Sequence, residues 1–464
     1  MSGNSTNPDA RAQQRRPEVG DRRSLVRAFA ASLSGTSLEW YDFAVYGAAA
    51  ALVFGDLFFP SSDPLTGTLL AFSTYAVGYI ARPLGGIFFG RLGDRVGRKR
   101  VLIWTLMLIG VATFLIGVLP THGQVGILAP ILLVTLRFAQ GVGVGGEWGG
   151  AVLLTSEFSR PENRGFWASA AQVGPPLGNV LANAVLGLLA ALLTEEAFNS
   201  WGWRVAFLLS GLLVAFGLWI RLKLEETPVF QQIEERGEAP TAPIREVLRD
   251  HPRGLASGIL SRVGPDVLYA MFAVFVLTYA TEELGFSQGQ AIAAVMIGSL
   301  IEVPLIPFAG CLSDKVDRRL IYSVAAVAAG VWTWVFLEIT RDAGHGTLIF
   351  GVTVALALHA FMYGPQAAYI AEQFHARLRY TGTSLAYTFA GLIGGAVAPV
   401  VLTWLLSRDE SGTTVAIYVG LAMLVTLVGL SLGRVVLDDV DEPVGSLRDD
   451  DDDGADATAA APTR

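Results

Sequence analysis

The stretch GRLGDRVGRKR at residues 90–100 returns, in degenerate form, as GCLSDKVDRR at residues 310–319. Gly90 and Gly310 are 220 positions apart, and so are Asp94 and Asp314. A second pair follows in the same order: Glu157 with Arg164 seven residues on, and Glu372 with Arg379 seven residues on, offset by 215. Two motifs repeated in one order at nearly one offset mean two homologous halves.

Around these motifs lie apolar stretches of about 20 residues, the length that crosses a bilayer core as a helix. There are twelve. The first six run roughly 28–54, 68–90, 101–119, 127–156, 166–193 and 204–222, and the second six roughly 254–281, 288–310, 320–339, 347–371, 383–406 and 414–437. The composition agrees: 52% of residues are hydrophobic, 16% are charged and the mean hydropathy is +0.49. A soluble domain carries about 25% charged residues. The expected fold is therefore an all-α membrane protein, with twelve transmembrane helices in two six-helix halves. Its units are a cytoplasmic tail at 1–27, the first half at 28–222, a charged cytoplasmic connector at 223–252, the second half at 253–437 and a disordered acidic tail at 438–464.

Basic residues set the orientation, because loops rich in lysine and arginine stay in the cytoplasm. With both termini inside, the cytoplasmic segments hold 27 of the 33 lysines and arginines. The first 23 residues are polar and lack an apolar signal core, so no signal peptide is expected. One cysteine, Cys311, excludes a disulfide framework, an iron–sulfur cluster and a zinc–thiolate centre. A net charge of −8 gives no case for nucleic acid. The glycine run from Gly141 to Gly150 lacks the lysine and preceding strand of a phosphate loop; inside a span, small residues serve close helix packing. Nothing in the spacing of Ser, His, Cys or Asp suggests an enzyme, a metal site or a cofactor.

At the 90–100 motif the chain resembles the major facilitator superfamily, whose signature between spans two and three is G-x-x-x-D-R-x-G-R-K. The stretches GTSLEWYDFAVYG (35–47), YIARPLGGIFFGRLGDRVGRK (79–99) and RFAQGVGVGGEWGGA (137–151) together resemble the metabolite:proton symporter family, permeases for 2-oxoglutarate, citrate, shikimate and proline/betaine. The resemblance implies alternating access by a monomer in the bacterial cytoplasmic (inner) membrane. It implies proton-coupled uptake of a small, carboxylate-bearing metabolite, without cofactors. Carried over by motif position, Asp94 caps a helix of the opposite half and Arg98 pairs with Glu157; Asp314, Arg318 and Glu372 form the second copy. With Gly90, Arg95, Gly97, Arg164 and Arg379 these make a cytoplasmic gate, the competing role for its arginines being positive-inside topology alone. Lys315 and Asp317 depart from the first copy, which predicts a weaker second latch. The alternative is a proton-coupled efflux antiporter, since Gly174 to Gly178 partly resembles the antiporter motif GPxxGG, with Asn179 in place of its last glycine.

Ionisable residues inside spans carry the remaining information, each costing about 2.5–3.5 kcal/mol near the bilayer centre unless partnered or wet. Glu39 lies twelve residues past Arg27, about 18 Å at 1.5 Å per residue, and Asp42 follows on nearly the same face. These two acids, with Glu147, are the candidate proton carriers; the competing role is a structural pair with a neighbouring arginine. Arg82 shares a face with Tyr79, and Arg137, which has Val352 at its offset position, lies deep in the fourth span. Guanidinium groups clamp carboxylates bidentately, so these arginines are candidate anion ligands, while Arg137 could instead neutralise Asp42, Glu39 or Glu147. Stripes at helical spacing add Gln172, Asn179 and Asn183 in the fifth span, Arg262, Asp266 and Tyr269 in the seventh, and His359, Tyr363 and Gln366 in the tenth. They read as cavity lining or as hydrogen-bonding glue between helices.

Overall fold

The computed structural model describes residues 21–60, 64–341, 344–408 and 412–436, and among these every regular element is helical. Residues 1–20 and the acidic tail from 437 onward lie outside them. Twelve long helices correspond to the expected spans: Arg22–Ala49, Pro64–Val96, Arg98–Gly117, Leu128–Phe158, Pro161–Leu192, Trp203–Leu222, Pro252–Glu283, Gln288–Leu312, Arg318–Ile339, His345–Ala371, Ala376–Leu406 and Thr413–Leu432. Among the described residues, ten of these helices are long and apolar enough to cross a membrane. The other two, the first and second, carry Glu39, Asp42 and Arg82. Large apolar side chains such as Leu212, Val331 and Val400 are exposed on the outside of the bundle. In a multi-pass membrane protein that surface meets lipid.

The twelfth helix ends at Leu432, short of the expected 437. The following residues turn back along the tenth span, where the Arg434 N–H donates to Gln373 Oε1 at 2.9 Å and the Val436 N–H to the Glu372 carbonyl at 2.8 Å. The second of these satisfies a carbonyl that the helix end leaves open. The central connector holds two short amphipathic helices, Pro228–Glu235 and Pro243–Asp250. Val229 and Ile233 of the former cluster with Ala376.

Glycine decides which spans touch. A methyl group on Gly145 would run into the Arg82 carbonyl, one on Gly141 into the Gly78 carbonyl and one on Gly85 into the Val142 carbonyl. The glycine run of the fourth span is therefore a helix interface with the second. The fifth span meets the first at Gly174 and Gly178, against Thr36 and Ser37, and the twelfth meets the seventh at Gly429. The repeat extends to irregular backbone: a π-helical turn starts at Ala50 in the first span and another at Ala270, 220 positions on, in the seventh. The halves meet most tightly at one end, where Gly90 faces Thr381 and Gly310 faces Gly165 and Ser169.

Gly145→Val, forced against a backbone carbonyl, is expected to destabilise the fold by about 1–3 kcal/mol or more and to lower the detergent melting temperature. Gly187→Val, at a position with open space around it, should leave that temperature unchanged.

Candidate functional site

Two clasps join the halves at their tight end. The Asp94 carboxylate accepts from the N–H groups of Tyr380 (3.2 Å) and Thr381 (2.9 Å), in the first turn of the helix that starts at Arg379. A helix N-terminus favours an anion through its open N–H groups and dipole. Arg98 lies 3.6 Å from Asp94 and 3.3 Å from Glu157, and donates to the Ala376 carbonyl of the other half at 3.0 Å. All three charged side chains are fully buried. Gly97 has φ +108°, in the region that favours glycine, and this brings Glu226 of the connector over the start of the third span, where it accepts from the N–H groups of Arg98 (3.0 Å) and Lys99 (3.2 Å). The Thr227 hydroxyl donates to Glu157 at 2.5 Å. Burial pushes the Glu226 carboxyl above its ordinary range. Arg95 donates to the Pro240 carbonyl at 3.2 Å and Arg379 to the Phe374 carbonyl at 3.3 Å, while Arg164 is buried at the start of the fifth span.

The second clasp repeats the first with one change. Asp314 accepts from the N–H groups of Gly165 (2.7 Å) and Phe166 (2.9 Å), and Arg318 lies 3.5 Å from Asp314 and 3.4 Å from Glu372. At the position of Gly97 stands Asp317, which caps its own helix through the Arg319 N–H at 2.7 Å and so replaces Glu226. Arg318 is 16% exposed where Arg98 is 0%. Burial raises the Asp314 carboxyl too, against its hydrogen bonds and Arg318.

Deeper in the first half, Glu39 lies 3.7 Å from Arg82, whose guanidinium sits over the rings of Phe43 and Tyr79, each at 4.3 Å. Asp42 belongs to a chain: it accepts from the Thr113 hydroxyl at 2.6 Å, that oxygen accepts from Gln140 Nε2 at 2.8 Å, and the Gln140 carbonyl accepts from Arg137. Arg137 is fully buried, over Phe43 and Tyr46 at 4.0 and 4.1 Å. Glu147 stands in a different cluster. Both terminal nitrogens of Arg221 donate to it, Thr105 donates at 2.6 Å, and Gly35 leaves the room they occupy.

In the second half Arg262 pairs with Asp266 at 2.9 Å and sits 3.8 Å from the centre of the Tyr387 ring, which stacks on Trp148 of the first half at 4.4 Å. Trp148 donates to Gln172 at 2.7 Å, and Gln172 donates to Gln366 (3.0 Å) and to the Tyr363 carbonyl (3.1 Å). Gln172 is thus a bridge between the halves. Asn179 makes a second bridge to the Tyr269 hydroxyl, whereas Asn183 is exposed and bonds back to Asn179. Arg262 also lies 5.5 Å from the centre of the Trp148 ring, so the charged pair of the second half reaches the meeting of the halves.

The sequence model of the Major Facilitator Superfamily matches residues 26–399, and again 266–449. The chain belongs to the major facilitator superfamily. It is 36% identical over 414 residues to the inner membrane metabolite transport protein YhjE of Escherichia coli, covering 88% of this chain and 94% of that one. To the shikimate transporter of the same organism it is 36% identical over 410 residues (87% and 93%), and to the proline/betaine transporter of Salmonella typhimurium 33% over 441 (91% and 86%). Among solved structures, the proton:xylose symporter XylE shares the fold at a TM-score of 0.68 and 18% identity, with 88% and 95% coverage. FucP in its outward conformation does so at 0.65 and 15%, with 89% and 100%. The chain is therefore a major facilitator transporter of metabolites, and not an enzyme.

Several residues of this facilitator's site escape a reading by spans. Arg221 counts, by position, as part of the basic flank of the sixth span, yet it turns inward and is 1% exposed. Glu226 and Thr227 lie in the connector, and Thr113 and Gln140 are uncharged. Only Glu302, a lone acid in the eighth span, carried a signal in the sequence. Because removing one partner of a buried ion pair costs about 3–5 kcal/mol, Arg221→Met is expected to collapse thermal stability in detergent. The double variant Arg221→Met/Glu147→Leu should regain most of it.

Proposed function

We propose that this facilitator imports a small carboxylate-bearing metabolite together with protons across the bacterial inner membrane, with both termini in the cytoplasm. The observation that carries this reading is the balance of charge where the halves converge. Glu39 and Asp266 face Arg82 and Arg262, two acids against two bases, all nearly fully buried. A proton on Glu39 leaves one positive charge in excess, and a substrate carboxylate restores neutrality. Neither ligand is stable there alone, because an unpaired charge at this depth is costly. Proton and anion therefore enter and leave together.

In this reading Arg82 and Arg262 hold the carboxylate, with Tyr79, Tyr363, Gln172, Asn179 and Asp266 around it. Arg137, joined to Asp42 through Gln140 and Thr113, acts as the partner of that acid, and Asp42 is a second protonatable group beside Glu39. Glu147 serves structure through Arg221 and drops out of the coupling set. The faces of Phe43, Tyr79 and Tyr387 are already covered by guanidinium groups, which supports a carboxylate over a quaternary ammonium ligand. Gly174 and Gly178, the basis of the antiporter likeness, are accounted for by packing on the first span, so uptake is the reading we keep.

The clasps act as the cytoplasmic gate. Closed, they hold the substrate region away from the cytoplasm; inward opening strips Asp94 and Asp314 of their N–H partners and exposes them to water. Burial raises Asp314 in the clasped form and water returns it to the ordinary range, so the clasped form binds the proton more tightly. By linkage, lowering the pH through the interval just above the ordinary carboxylate value favours clasping, and raising it favours opening.

Uptake of labelled mono- and dicarboxylates and betaines into proteoliposomes, with and without an imposed pH gradient, tests the main reading. Carboxylate accumulation should require the gradient, and Glu39→Gln should abolish accumulation while sparing exchange. Arg82→Ala or Arg262→Ala should cost about 2–5 kcal/mol of binding, roughly 30-fold or more. Accumulation that ignores the pH gradient, or equal binding of an acid and its amide, would sink it. For the gate, Asp94→Asn should slow turnover more than it weakens binding, and cysteines at the cytoplasmic ends of the halves should label faster in it and at higher pH. Labelling that is unchanged in Asp94→Asn would leave the motif with a topological role only.

A further inference from the structure

One buried titratable pair takes no part in the charge balance above. Glu302 of the eighth span and His359 of the tenth meet at 2.5 Å through Oε1 and Nδ1, and both are essentially inaccessible. Glu302 stands ten residues before Leu312 and His359 twelve before Ala371, about 15 and 18 Å along their helices at 1.5 Å per residue. Both therefore lie at mid-depth. The second oxygen of Glu302 has no hydrogen-bond partner among the described residues.

The offset between the halves gives the pair its context. Glu302 occupies the position of Arg82, and Arg262 that of Asp42, each 220 residues on. The repeat thus carries inverted charges at matching depths, and the described ion pair of Glu302 is with His359. Its partner is an imidazole, whose ring nitrogens can take up a further proton.

We propose that Glu302 and His359 form a proton-binding site of the second half, distinct from Glu39 and Asp42, whose occupancy is read out at the contact between the halves through Tyr269. Its use in transport rests on the proton-coupled reading above; its existence does not. With a carboxylate and a neutral imidazole the pair holds one negative charge. A proton passed from a hydronium ion onto the imidazole or the carboxylate forms one N–H or O–H bond there, breaks the donor's O–H bond to leave water, and makes the pair neutral. The groups facing the imidazole are few: Glu302 from the eighth span, Tyr363 on its own helix at 4.7 Å, and Tyr269 from the seventh at 5.3 Å between ring centres. Asp266 acts on it electrostatically and is itself held by Arg262. Tyr322 of the ninth span is reached only through Gln366, two turns along. From the fifth span come the amides Gln172 and Asn179, which do not titrate. Tyr269 is the link outward, because its hydroxyl accepts from Asn179 and its ring meets Trp40 edge-on at 5.7 Å, both in the first half. A charge change on the imidazole alters the packing of that ring and so the hold between the halves.

The test is histidine-labelled NMR of the purified full chain in lipid nanodiscs between about pH 5 and pH 9. Five histidines are present, and His359→Gln assigns the signal. The His359 resonance should titrate within this range, Glu302→Gln should move its midpoint by one pH unit or more, a shift of the size a close charge produces, and Glu302→Asp should largely restore it. Spin labels on the two halves beside Asn179 and Tyr269 should report a change in separation with the same midpoint, lost in Tyr269→Phe and in His359→Gln. A His359 signal constant across the range in the parent, or a midpoint indifferent to Glu302→Gln, would overturn the site. A parent that titrates at His359 yet shows no gradient-driven uptake supports this site while sinking symport.

Discussion

A charge inside hydrocarbon must find an opposite charge or a set of dipoles, and the arrangement of this protein follows from how each buried charge is answered. Glu147 is answered within its own half by Arg221 and Thr105, with Gly35 giving room. Asp42 is answered through a relay of Thr113 and Gln140 that ends on Arg137. The clasp acids are answered by helix N-termini of the other half. Glu39, Arg82, Arg262 and Asp266 answer one another at the meeting of the halves. Some of these answers lie within one half and others span the two halves.

The two halves are related in sequence but are not equivalent in energy. The first clasp is fully buried and draws on the connector, whose Glu226 caps the third span and whose Thr227 supports Glu157. The second clasp supplies its own cap from Asp317 and leaves Arg318 partly wet. A buried ion pair responds more sharply to the loss of a partner than a wet one, so losing a partner should cost more in the first clasp than in the second. The same asymmetry appears at depth, where the repeat inverts charge: acid for base between Arg82 and Glu302, base for acid between Asp42 and Arg262. Superposing two like sites would have placed like charges across the central region. Each half nonetheless answers its own charges, Glu39 with Arg82, Asp42 through the Arg137 relay, Arg262 with Asp266 and Glu302 with His359.

The 220-residue repeat, the apolar stretches and the basic loops fix twelve helices, two halves and the residues that must not face lipid unaided. Those features are local or periodic, so the chain alone carries them. Partner choice is different. That Glu147 belongs to Arg221 and Asp42 to the Arg137 relay depends on which helix faces turn toward each other, and glycines such as Gly35, Gly85 and Gly145 set this by admitting a neighbour's backbone or side chain only at certain depths. The end of the twelfth helix at Leu432 was likewise decided by unsatisfied groups of the tenth, more than sixty residues earlier in the chain. Sequence determined most of the charge inside the spans, since burial there follows from hydropathy, with Arg221 at a basic flank as the exception. Tertiary packing decided the pairing, since ion pairs and helix caps form between residues tens to hundreds of positions apart.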